Sequence, residues 1–93
     1  MDTTAAIDAP ATDAAAAIPV LRAQIDALDE AITRLVGERA KLSARIQASR
    51  MNAGGTRVEL GRERVILSTY RDALGPNGPA LADAVLQVCR GRR

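Results

Sequence analysis

Residues Leu35–Arg50 read LVGERAKLSARIQASR, and the reading turns on Arg39. On either side of it, apolar side chains recur at Ile18, Leu21, Ile25, Leu28, Ile32, Leu35, Leu42 and Ile46. The steps alternate between three and four, the spacing of an apolar seam along one helix face. Arg39 falls four after Leu35 and three before Leu42, where the seam calls for an apolar side chain. An arginine in that slot can snorkel, packing its stem and sending its head to water or to a nearby acid. It can equally face a buried anion, and the seam alone leaves both readings open.

Working outward, Pro19 suits an early position of the first helix, where its missing N–H costs nothing. A helix from Val20 to Ala53 would be about 50 Å long, whereas a compact globule of this size has a radius of gyration of roughly 13 Å. The residues left over cannot cover such a helix, so the seam is expected to meet a second chain. Gly54-Gly55 should end the helix by supplying positive φ. Thr56 and Glu59 match a capping box, which predicts a second helix from near Arg57 to about Ala73, with Val58, Val65, Ile66 and Thr69 inward. The breakers in Leu74-Gly75-Pro76-Asn77-Gly78-Pro79 predict a turn. A third helix then starts at Pro79 or Ala80, with Leu81, Val85, Leu86, Val88 and Cys89 inward. The expected fold is all-α, three helices, one long and two shorter, forming an intertwined homodimer.

Composition agrees. The 93 residues contain no phenylalanine or tryptophan and a single aromatic, Tyr70, so a core must come from aliphatic residues packed between helices. Residues 1–17 form an acidic, alanine-rich leader, expected to be disordered, ahead of a helical domain over 18–93. The net charge of +2 conceals an imbalance: residues 1–19 hold Asp2, Asp8 and Asp13 and no base, leaving thirteen basic residues against eight acidic ones beyond them. Twelve of the thirteen are arginine, whose planar forks suit carboxylates and phosphates. With no histidine and a single cysteine, Cys89, the sequence excludes disulfide frameworks and histidine catalysis, and no metal site is expected. The leader has neither the basic start nor the apolar run of a secretory signal, and no stretch approaches the ~20 apolar residues of a membrane span. A cytoplasmic protein is expected.

Other charges bear on Arg39. Arg50 lies eleven positions on, about 20° from the same face and roughly 16 Å along the axis, a gap in which two arginines could bracket a small dianion. Glu59, Arg62 and Glu63 in the second helix complete a mixed set suited to a ligand with carboxylates and a hydroxyl. The plain alternatives are a cap for Glu59 and a surface acid for Glu63. Arg22 points about 100° away and sits roughly 25 Å from Arg39 on the same helix. Only a second, antiparallel chain could bring one Arg22 beside another chain's Arg39, which would make two shared sites in a two-fold dimer.

At these residues the sequence resembles the all-α chorismate mutases. Leu21-Arg22-x-x-Ile25-Asp26-x-Leu28-Asp29 is similar to their first-helix signature, and Glu38-Arg39, Arg50 and Arg62-Glu63 fall at the family's spacings without a gap. The resemblance covers about Ile18 to Arg92. It is greatest to the short cytoplasmic subgroup with Gly-Gly-Thr-Arg before the second helix and Arg-Gly-Arg near the end. It implies rearrangement of chorismate to prephenate, a unimolecular reaction with no cofactor, driven by holding the substrate in its folded form and stabilising charge. By resemblance, Arg39 and the Arg22 of the partner chain clamp the carboxylates, and Arg50 touches a carboxylate and the ether oxygen. Glu63 accepts from the ring hydroxyl, Arg62 lines the pocket and orients Glu63, and Glu59 replaces an acid that contacts the same hydroxyl.

One departure matters. Better-known members donate to the ether oxygen from a glutamine on the last helix, and this sequence ends at Arg93 before that position. Losing such a donor typically costs about 2.7–4 kcal/mol of transition-state stabilisation, so a weak enzyme is expected. The subgroup implies DAHP synthase as an activating partner, with Arg90–Arg93 as its contact; a frayed, solvated tail is the alternative. Rival readings are a 4-amino-4-deoxychorismate mutase, an isochorismate-pyruvate lyase on the same fold, and a small basic helical module binding nucleic acid or protein. Against nucleic acid stand the lack of stacking aromatics beyond Tyr70 and of any recognition-helix pattern.

Overall fold

The computed structural model describes residues 11–55 and 59–91, and the side chains of residues 11 and 12 fall outside that description. Among the described residues there are three helices and no strand: α1 (Ala11–Asn52), α2 (Leu60–Leu74) and α3 (Gly78–Arg90). No helix among them is long and apolar enough to cross a membrane. The chain divides into two compact units, residues 1–33 and residues 34–93.

In the first unit the helix starts at Ala11, nine residues before the expected Val20, and Pro19 lies inside it. The last residues of the predicted leader, 11–17, are therefore helical; residues 1–10 lie outside the described part. Alanine has the highest helix propensity of any residue, and the run Ala14–Ala17 carries the helix upstream of the proline. Asp13 in the first turn complements the helix dipole. Pro19 leaves the carbonyl four residues earlier without its usual donor, a cost of about 3 kcal/mol in a helix interior. Ile18, Leu21, Ile25, Leu28 and Ile32 are all exposed, so within this unit the apolar seam is uncovered.

The second unit contains the end of α1 together with α2 and α3. The glycine pair ends α1 as expected: Gly54 has φ +85°, and the Gly55 N–H donates to the Arg50 carbonyl at 2.7 Å. The capping box is a correction. The second helix begins at Leu60 rather than near Arg57; Glu59 itself is the extended N-cap, and no side-chain cap bond is made there. Thr56 and Val58 lie outside the described residues. The Glu59 carbonyl instead accepts the Glu63 N–H at 3.0 Å. Of the residues expected inward on α2, Ile66 is half-buried, while Val65 and Thr69 are exposed.

Helices α2 and α3 pack backbone to backbone across the turn. Gly75, with φ +90°, donates to the Arg71 carbonyl at 2.8 Å and closes α2. Gly78 then starts α3 so close to α2 that a Cβ added there would stand 2.2 Å from the Tyr70 carbonyl oxygen. The amphipathic face of α3 buries Ala82, Val85, Leu86 and Cys89. Leu81 and Val88, expected inward, stay exposed. They flank the buried stripe, and Leu35, Leu42 and Ile46 on α1 are exposed as well.

Two glycine substitutions should separate packing from propensity. Gly78→Ala forces α2 and α3 apart and should cost about 1–3 kcal/mol, lowering Tm by about 4–8 °C for each kcal/mol. Gly37→Ala, with nothing near the added carbon, should instead stabilise α1 by about 0.5–1 kcal/mol. Thermal melts of the two variants check both signs.

Candidate active site

A row of polar side chains runs along α1 at steps of four, four and three: Arg39, Ser43, Gln47 and Arg50. It lies beside the apolar row Leu42 and Ile46, so one helix face carries both a packing edge and a charged edge. Every member of the polar row is half-buried. The start of α2 contributes Glu59, Arg62, Glu63 and Ile66, and the end of α3 contributes Leu86, Cys89 and Arg90. Together these residues line a cleft of about 310 Å³ within the second unit, the size of a site for a small organic molecule.

The Arg39 guanidinium turns into this cleft and donates from Nη1 to Cys89 Sγ at 3.1 Å. A thiol is a weak acceptor, and among the described residues no carboxylate pairs with Arg39. Arg50 Nη2 stands 3.7 Å from Glu59 Oε1, with side chains 25% and 57% exposed. At that length and exposure the pair is worth about 0–1 kcal/mol. Arg90 Nη2 donates to Glu63 Oε2 at 2.5 Å, with both side chains only about a fifth exposed (23% and 21%). The Arg34–Glu38 pair, 3.6 Å apart and mostly solvated on the outside of α1, belongs to the surface.

Five of the six residues singled out from the sequence thus meet in one place: Arg39, Arg50, Glu59, Arg62 and Glu63. Arg22 does not; it is exposed on α1 within the first unit. The partner expected for Glu63 also changes, because the guanidinium on it is that of Arg90 and not that of Arg62. Arg90, expected in a terminal tail, is instead the last residue of α3, with Gly91 (φ +76°) ending the helix directly after it. The signal was available, since Arg90 lies four after Leu86 and so shares the buried face of α3. The cleft therefore holds four guanidiniums against two carboxylates, and both carboxylates already have a basic neighbour. Among the described residues no group of acids or cysteine could hold a metal ion.

With that surplus of positive charge, the arrangement can accommodate an anion with more than one charge. The chorismate mutase type II family model matches residues 21–91, across all three helices. The chain belongs to that family. An intracellular chorismate mutase of Mycolicibacterium smegmatis is 42% identical over 80 residues, 86% of this chain and 77% of that protein. One from Mycobacterium tuberculosis H37Rv is 44% identical over 75 residues, 81% of this chain and 70% of that protein. A chain in a solved structure matches with a TM-score of 0.79 and 39% identity, over 90% of this chain and 99% of its own length. That structure is a non-covalent complex of DAHP synthase and chorismate mutase from Corynebacterium glutamicum with a bound transition state analog.

The thiol at the base of the cleft offers a direct check of the geometry. Cys89 is 5% exposed, so it should react with a thiol reagent at least about tenfold more slowly in the native protein than after denaturation. A small dianion seated against Arg39 should slow the native reaction further, as measured by the release of the reagent's chromophore.

Proposed function

We propose that this cleft is where the chain carries out the reaction of its family, the rearrangement of chorismate to prephenate. One ether C–O bond breaks while one C–C bond forms within the same molecule, so no atom is lost and no proton need be transferred. The protein's part is to hold the folded, doubly anionic substrate and to stabilise charge on the ether oxygen as the bond opens. Arg39 meets a carboxylate and exchanges a weak thiol acceptor for a full charge. Arg50 reaches a carboxylate and the ether oxygen, and its long contact with Glu59 yields at little cost. Glu63 takes the ring hydroxyl on Oε1 while Arg90 holds Oε2, and Arg62 lines the pocket. The observation that carries this reading is the convergence of Arg39, Arg50 and Glu63 in one partly buried cleft in a chain of this family.

The exposed seam supports a homodimer. The eight seam positions from Ile18 to Ile46 all stand uncovered on one chain, a load that a second copy would bury. In an antiparallel pair, Arg22 of one copy completes the clamp on the other copy's Arg39. The Corynebacterium complex supports DAHP synthase as a partner for this chain too, with docking raising turnover.

Loss of chorismate absorbance with purified protein tests the reading. Arg39→Ala should lower kcat/KM by about 10²–10³-fold, the usual cost of removing a charge-stabilising donor. Arg22→Ala should do the same, and refolding the two variants together should restore part of the activity through hybrid dimers. Undiminished turnover by Arg39→Ala would remove this cleft as the site. A stable monomer in light scattering, or no complementation in the mixture, would remove the shared arrangement.

A further inference from the structure

The Arg90–Glu63 pair bears on which substrate the cleft accepts, and the inference rests on the reading of the cleft given above. The hydroxyl substrate and its 4-amino analogue differ at the group that Glu63 would meet. The first offers a neutral O–H. The second offers an allylic amine that is protonated near neutral pH, which reduces the ligand's net negative charge by one. A lone half-buried carboxylate would favour the ammonium, since opposite charges within a few ångströms attract strongly at low dielectric.

Glu63 is not alone. Arg90 lies 2.5 Å from one of its oxygens, and the pair is well shielded from water. Glu59, the other acid of the cleft, stands 3.7 Å from Arg50. An ammonium entering here would meet no uncompensated carboxylate and would have a guanidinium next to its acceptor. A hydroxyl needs only one free carboxylate lone pair, and Glu63 Oε1 can supply it. The remaining positive charge of the cleft suits a ligand with two carboxylates and no cation.

We propose that Arg90, bound to Glu63, is a specificity-determining positioning residue that sets the cleft for a dianion bearing a neutral hydroxyl and against one bearing an ammonium. It acts through Glu63 by neutralising that carboxylate and fixing which oxygen faces the ligand. Rejection of the amine is thus repulsive, in the way selective sites commonly discriminate.

The test uses the full chain and two substrates, chorismate and 4-amino-4-deoxychorismate, with products identified by mass spectrometry. The wild type should prefer the hydroxyl substrate by at least about tenfold in kcat/KM. Arg90→Met should shift the ratio at least about tenfold toward the amine, because Glu63 then faces the ligand uncompensated. Arg90→Lys keeps the charge and should hold the ratio within about threefold of wild type, with circular dichroism verifying the helical content of both variants. A parallel fall for both substrates in Arg90→Met, with the ratio unchanged, would make Arg90 a structural strut and overturn the proposal. A wild type that prefers the amine would overturn it as well, while leaving the cleft as the site. If the wild type turns over neither substrate, the reading of the cleft itself fails and takes this proposal with it.

Discussion

A guanidinium cannot be drawn into the side of a helical unit without something to answer its charge, because its desolvation is costly unless hydrogen bonds or an opposite charge compensate. Arg39 is that group. Its position in the seam of α1 commits an otherwise apolar edge to a polar purpose, and the rest of the cleft follows from accommodating it. Ser43, Gln47 and Arg50 extend the polar row along α1, and the close α2–α3 packing brings Glu63, Cys89 and Arg90 opposite. The contact from Arg39 to Cys89 at 3.1 Å positions the head without satisfying its charge. The doubly anionic guest proposed for the cleft would supply that charge.

The fold is economical in what it buries. Among the described residues the buried apolar side chains are Ala82, Val85, Leu86 and Cys89, all on α3. So small a core rests on the approach of α2 to α3, which Gly78 permits by having no side chain. The long aliphatic seam of α1 contributes nothing to it. If a second copy covers that seam, as proposed, folding and assembly become one equilibrium, and stability will depend on protein concentration.

Much of this was legible in the sequence because it rests on local rules. The alternation of three and four gave the long helix, Gly54-Gly55 could be read as its end through positive φ, and the breakers around Gly75 could be read as a turn. Arg39 was visible because it broke the pattern. What was not legible came from competition between rules. Pro19 looked like a helix start, but the alanine run before it carries the helix back to Ala11. Glu59 looked like the far end of a capping box, yet its side chain is turned toward Arg50. Arg90 looked like part of a tail because Gly91 and further arginines follow it. Its place four residues after Leu86 on a buried face decided its environment instead. In the proposed dimer Arg22 meets a site only through the second copy, which no single-chain pattern supplies.

The most direct measurement is a crystal structure of the protein with a doubly anionic transition-state analogue. The account predicts the ligand in the cleft, with one carboxylate within about 3 Å of the Arg39 guanidinium and of Arg22 from a second copy. Its hydroxyl should sit on Glu63, with Arg90 still holding the other oxygen. An analogue bound elsewhere, or Arg39 turned to solvent with the ligand in place, would contradict it.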